Sequence, residues 1–199
     1  VCPADTGIAG NVPPKGTPQD EEALLINLHT PAIKDDLYNY VLFSYPWEKP
    51  GTVLEHHAGP KAWHKQDLTD LSDHILTNQH RMAQGQTPRM WKSATSAGRG
   101  PGKSAKMAWL VNWMLTTRLG STTIITANTE AQLKTRTFAE ISKWTNLLIN
   151  AHWFDQSVLS IRPAAWFGKL IKDQLGIDTG YYYAQGQLWS EENPDAFAG

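Results

Sequence analysis

The sequence predicts an α/β fold, a parallel sheet flanked by helices, on three observations between residues 89 and 127. The first is a glycine-rich stretch, Ala97-Gly98-Arg99-Gly100-Pro101-Gly102-Lys103-Ser104. The second is the run after it, 104–118, where Met107, Leu110, Val111, Met114 and Leu115 recur at helical spacing before Leu119-Gly120 ends the pattern. The third is Ser-Thr-Thr-Ile-Ile-Thr-Ala at 121–127, β-branched and apolar as a buried parallel strand should be. With 89–95 read as a short strand, the order is strand, glycine loop, helix, strand, one βαβ unit.

The glycine stretch is a phosphate-binding loop of Walker A type, with Ala97 where the strict pattern has its first Gly. Polyphosphate is dense negative charge. Without a Cβ in the way, consecutive backbone N–H groups can turn inward to meet it. The following helix adds its first-turn N–H groups and the positive end of its dipole. The nucleotide-binding set is therefore Gly98, Gly100, Gly102, Lys103, Ser104 and Ala105. Lys103 places a charge on the β/γ-phosphates, and the Ser104 hydroxyl is the metal ligand, on Mg²⁺. Pro101 removes one donor from the nest and stiffens the loop.

The 199 residues suit one domain or part of a larger one, and 41% hydrophobic residues are enough for a core. Net charge is −1, but its distribution is uneven. Residues 91–172 hold 11 Lys/Arg against 3 Asp/Glu, a surplus of eight cations around the loop. That suits anionic ligands and DNA; a solvated helix face is the plainer alternative. Cys2 is the only cysteine, so no disulfide framework and no cysteine zinc site forms within the chain. No apolar run approaches the ~20 residues of a membrane span. The chain begins at Val1 and stops at Gly199, and it is expected to be part of a longer protein, cut at both ends.

Residues 1–35 read as an irregular and helical N-terminal arm, rich in proline to residue 19 and helical over 19–29. A helix over 36–43 leads to an aromatic loop, Tyr45-Pro46-Trp47 to Thr52. His56, His57 and His64 lack carboxylate or cysteine companions at metal spacing, so surface or packed histidine is the reading. A helix through Asp67, Leu68, Leu71 and Ile75 follows, preceded by Trp63 and Gln66. In motor ATPases with this layout an aromatic and a glutamine so placed contact adenine; the alternative is a core tryptophan and a solvated glutamine. A helix is expected over 130–150, capped by Asn128 or Thr129, and a strand over 157–162. Ala165-Trp166-Phe167 and Tyr181-Tyr182-Tyr183 are candidate strands.

Several of these stretches together resemble the N-terminal ATPase region of phage large terminase subunits, the DNA-packaging motors. They are Gly59-Pro60-x-x-Trp63 before a helix, Ser96-Ala97-Gly98-Arg99-Gly100-x-Gly102-Lys103-Ser104, and Thr126-Ala127-Asn128-Thr129-x-x-Gln132. Trp189-Ser190-Glu191-Glu192-Asn193-Pro194-x-Ala196-Phe197-Ala198-Gly199 and the aromatic-Pro-Trp47 loop fit one prophage-type branch. The resemblance spans roughly 35–199, so 36–199 would be the N-terminal part of a P-loop ATPase domain. It implies an ASCE-type P-loop NTPase fold, incomplete at its C-terminal end, that uses ATP and Mg²⁺ to move double-stranded DNA into a procapsid. A portal protein, a small terminase subunit and a ring of copies would be its partners, in the host cytoplasm, with no membrane. Catalytic roles would fall to Lys103 and to Arg99, an arginine-finger-like charge near the γ-phosphate.

The resemblance places the Asp-Glu pair for Mg²⁺ and water after Gly199, with a nuclease domain later still. No four apolar residues followed by Asp-Glu occur within the chain. Another P-loop DNA motor of helicase type, or a non-catalytic nucleotide-binding remnant, are the competing readings. The expectation is nucleotide binding with negligible turnover. A phosphate-release assay should stay at background, and release that is abolished by Lys103→Ala would overturn it.

Overall fold

A computed structural model describes residues 16–96, 98, 100 and 102–188. The prolines of the arm before residue 16 and the stretch 189–199 lie outside the described residues. In chain order the elements are α1 (Pro18–Leu28), α2 (Pro31–Lys34), α3 (Leu37–Ser44), α4 (Ala62–Ala83), α5 (Lys103–Thr117), β1 (Thr122–Ala127), α6 (Glu130–Gln132), a π-helical stretch (Leu133–Phe138) and α7 (Ala139–Asn146). A hairpin, β2 (Phe154–Ser157) and β3 (Ser160–Pro163), then α8 (Ala165–Leu175) and β4 (Tyr183–Leu188) complete the chain. Strand order is β1-β4-β3-β2.

The sheet is mixed, which corrects the parallel sheet expected. β1 and β4 run parallel, Thr122 opposite Tyr183 through Ala127 opposite Leu188. β3 is antiparallel to both β4 and β2. The chain at 157–162 is not one strand, because Val158 and Leu159 form the turn of the hairpin. Ala165-Trp166-Phe167 opens a helix instead of a strand: Phe167, Leu170 and Ile171 share its buried face, and Gly176 ends it in the left-handed region, φ 67°. Of the three tyrosines, Tyr181 closes a 3₁₀ turn and Tyr183 begins β4.

β1 is an edge strand, and only Ile125 in it is buried. Thr122, Ile124 and Thr126 are exposed, so the strand alternates and helices cover only its other face. The expected strand at 89–95 is absent. No described strand pairs with it, and the whole segment is exposed. It returns instead along α4 after a turn at Gly85, φ 72°. Arg81 donates to the Thr87 carbonyl at 3.0 Å, and the Asn78 amide bonds both the N–H and the C=O of Arg89, each at 2.8 Å. The His74 and Trp91 rings lie 5.1 Å apart. Side chains thus hold an extended segment where a ladder of backbone bonds was expected.

α5 is the central helix. Trp109, Val111, Asn112, Trp113, Leu115 and Thr116 are all buried in it. α7 packs along it, and β1 and β4 lie against it. Its buried polar groups are paired. Asn112 donates to the Tyr45 hydroxyl at 3.0 Å and accepts from Thr145 at 2.8 Å; Thr116 accepts from Tyr40 at 3.1 Å and from Asn150 at 3.2 Å. Residues 16–35 join the same body. Leu28 is fully buried, and the Glu21 carboxylate, also buried, accepts from Trp153 Nε1 and His152 Nε2, both at 2.7 Å.

The helix expected over 130–150 is interrupted by the π stretch and ends at Asn146. Leu133 and Phe138, at the two ends of that stretch, are both buried and press on β4 at Gly186. A Cβ on Gly186 would stand 2.8 Å from Phe138 Cε2 and 3.1 Å from Leu133 Cδ2. Gly186 is there because the strand must let the π turn approach its backbone. Gly186→Val should overpack this contact, costing about 1–3 kcal/mol and lowering Tm by roughly 3–10 °C in a thermal melt. An unchanged Tm would show that the turn has room to yield.

Candidate phosphate-loop site

The site is the junction between the first turns of α4 and α5. Gly102 caps α5 in the left-handed region, φ 99° and ψ 22°. The first helical bond returns from the Lys106 N–H to the Gly102 carbonyl at 3.1 Å, so the Ser104 and Ala105 amides precede the ladder. Lys103 is the first helical residue, and its ammonium donates to the Gly98 carbonyl at 2.7 Å. Ser104 is exposed and Ala105 half-buried. Gly100 is also left-handed, φ 86°, and a Cβ on Gly98 or Gly100 would meet nothing within 4 Å. Arg99 lies outside the described residues.

Gly102 has a second reason to be glycine. A Cβ there would come 2.8 Å from His64 Cε1 and 2.9 Å from its Nε2. His64 sits in the first turn of α4 and is buried. The Lys61 N–H donates to its Nδ1 at 3.2 Å, so Nε2 carries the proton and donates to the Gly102 carbonyl at 3.1 Å. One neutral imidazole therefore caps α4 and fixes the end of the glycine loop. Burial holds its pKa below the ordinary 6.5, helped by the nearby Lys106 and Lys61 charges and opposed by the bond to Gly102 and by Asp67.

One turn along α5 is a second tie. Lys106 is buried, and its ammonium donates to Asp67 of α4 at 2.5 Å and to Thr95 of the extended segment at 2.6 Å. It also stands 5.3 Å from the Trp63 ring. Lys106 thus joins α4, α5 and the chain entering the loop. Sequence reading missed it, because a lysine three residues past Lys103 looks like an ordinary solvated side chain. Its partner Asp67 is 39 positions away, and no spacing rule links the two. His64 was read only as a packed or surface histidine; its place three residues after a helix start was the available signal.

Beside this junction is a cavity of about 220 Å³. Gly102, Ala105 and Trp109 of α5 form one side, Trp144 of α7 another, and Trp47 and His57 of the loop before α4 a third. The tryptophan rings pack edge to face or tilted, Trp109–Trp144 at 5.1 Å, Trp47–Trp144 at 5.9 Å and Trp47–Trp109 at 6.0 Å. The two residues expected at adenine do not line it. Trp63 is half-buried behind His64, ring centroids 3.9 Å apart, and the exposed Gln66 donates its amide to Asp70 at 2.7 Å.

Among the described residues there is no cluster of three or more His, Cys, Asp or Glu able to hold a metal, and no helix is long and apolar enough to cross a membrane. No protein-family profile, curated protein or solved structure matches the chain.

The neutral His64 sets a pH dependence. His29 is likewise held below 6.5, mainly by burial. The unfolded chain therefore takes up these protons first as pH falls. Stability should be level above the ordinary value of 6.5 and decline as pH drops below it. Urea melts at pH 7.5 and 5.5 should show a lower midpoint at 5.5, well above the range where carboxylates titrate. His64→Gln should reduce the pH difference, and an unaltered difference in that variant would remove His64 from the account.

Proposed function

We propose that the chain is the nucleotide-binding part of an ATP-driven motor of the large terminase subunit kind, with an ASCE-type P-loop fold. The observation that carries this reading is local. A glycine loop ends in a left-handed Gly102 at the start of a 15-residue helix whose first two residues are Lys103 and Ser104. The residues suit a polyphosphate. Gly98 and Gly100 have open space where side chains would stand, so backbone can approach a ligand closely. The Ser104 and Ala105 amides stand at the positive end of the α5 dipole.

In this reading Lys103, already drawn over the loop by its bond to Gly98, is the charge that holds the β/γ-phosphates. Ser104, exposed beside it, offers its hydroxyl to Mg²⁺, which when bound neutralises phosphate charge. Arg99 keeps its proposed place near the γ-phosphate on the resemblance alone. His64 and Lys106 hold the loop to α4 and are positioning residues. The proposed cargo is double-stranded DNA, with a portal and a small subunit as partners in a ring. The cation surplus of 91–172 supports it in part. Lys134, Lys143 and Lys169 are each paired with an acid one turn away, so exposed Lys92 and Arg136 are the better DNA contacts.

Calorimetric titration with ATP and Mg²⁺ tests the reading. The wild-type chain should bind, and Lys103→Ala should weaken binding by about tenfold or more with Tm unchanged, as loss of a charge-assisted contact predicts. No binding at millimolar ATP, or equal binding by the variant, overturns the proposal.

A further inference from the structure

We propose that the aromatic cavity beside Ala105 is the base subsite, taking the purine ring of a nucleotide whose phosphates lie on the loop at 98–104. The inference rests on the nucleotide reading above and adds the residues that select the base. It moves base contact from Trp63 and Gln66 on α4 to the loop before α4 and to α7.

Three observations carry it. The cavity is continuous with the phosphate loop, since Gly102 and Ala105 are part of its wall. A ligand covering both regions is a polyanion at one end and something flat and apolar at the other. The volume, about 220 Å³, is below the roughly 300–1,000 Å³ of pockets that enclose a drug-sized molecule. It accommodates one ring system, with the sugar and phosphates outside on the loop. Finally, the walls are π surfaces held in place before any ligand arrives. Trp47 donates its Nε1–H to the Val41 carbonyl at 2.8 Å and packs on Trp109 and Trp144. Such rings stack on any base with little ordering cost. Lys61 and Lys143 also border the cavity, which suits the anionic end of the ligand.

Trp47 gives a clean comparison. Trp47→Leu and Trp47→Phe both lose the bond to Val41, but only phenylalanine keeps a ring face. His57→Ala, at an exposed position in the wall, leaves the core untouched. Each protein, as the 199-residue chain, is titrated calorimetrically with Mg²⁺ and either ATP or inorganic tripolyphosphate. The wild type should bind ATP about tenfold or more tighter than tripolyphosphate, the margin that one stacked base supplies. Trp47→Leu and His57→Ala should lose most of that margin with tripolyphosphate binding unchanged, and Trp47→Phe should keep it. Equal binding of the two ligands by the wild type overturns the base subsite and leaves the phosphate loop standing. So does a margin retained in both Trp47→Leu and His57→Ala. If the wild type binds neither ligand, the nucleotide reading has failed and the subsite falls with it. If Trp47→Leu does not fold, His57→Ala alone decides.

Discussion

The contact between His64 and Gly102 is the constraint on which the rest of the site depends. A left-handed glycine at the head of α5 is cheap in itself, but it leaves the direction of the preceding loop undetermined. The imidazole removes that freedom. It fills the space where a side chain would be and gives the Gly102 carbonyl a donor while accepting one from Lys61. Lys106 repeats the arrangement one turn later through Asp67 and Thr95. Two helices from different parts of the chain are thereby fixed at their first turns, where exposed backbone donors face outward. A loop tied down on one side and open on the other is what close approach by an anion requires.

Behind these ties α5 is anchored by a core with an unusual share of paired polar groups. Tyr40, Tyr45, Asn112, Thr116, Thr145 and Asn150 form two buried sets bridging α3, α5, α7 and the turn after α7. Burying these groups costs free energy unless each finds a partner. Paired as they are, they fix the rotation of α5 about its axis more sharply than apolar contacts do, because a hydrogen bond tolerates less displacement. The orientation of the first turn of α5 is inherited from that lock several turns away.

The helices were legible to within a residue or so where periodicity and end signals agreed, as in α1, α3 and α5. α4 began earlier than expected, since its cap is a histidine reaching back to Lys61 and not one of the usual capping residues. The sheet was much harder to read. Strand pairing depends on neighbours distant in sequence, and the hairpin turn at Val158-Leu159 carries neither glycine nor proline. Residues 89–95 have strand composition, but composition supplies no neighbour, and side chains from α4 took the place of one. At the site, the loop was visible because glycine and lysine at fixed spacing have few other uses. The cavity walls were not, because Trp47, Trp109 and Trp144 are scattered across nearly a hundred positions and meet only in the folded chain.

The π-helical stretch between α6 and α7 has a consequence for how this chain can vary. A π turn holds one residue more than an α turn, and each residue of an α-helix advances the face by about 100°. Deleting a single exposed residue there, such as Lys134 or Thr135, would restore ordinary helical pitch and look harmless locally. It would also rotate everything before or after it by that angle, so Ile141 and Trp144 could no longer face α5 while Thr129 still capped α6 on the end of β1. Substitution at these exposed positions is open, whereas a change of length is closed. The segment behaves as a fixed count, like a coiled-coil register, in a place where its surface chemistry alone would suggest freedom.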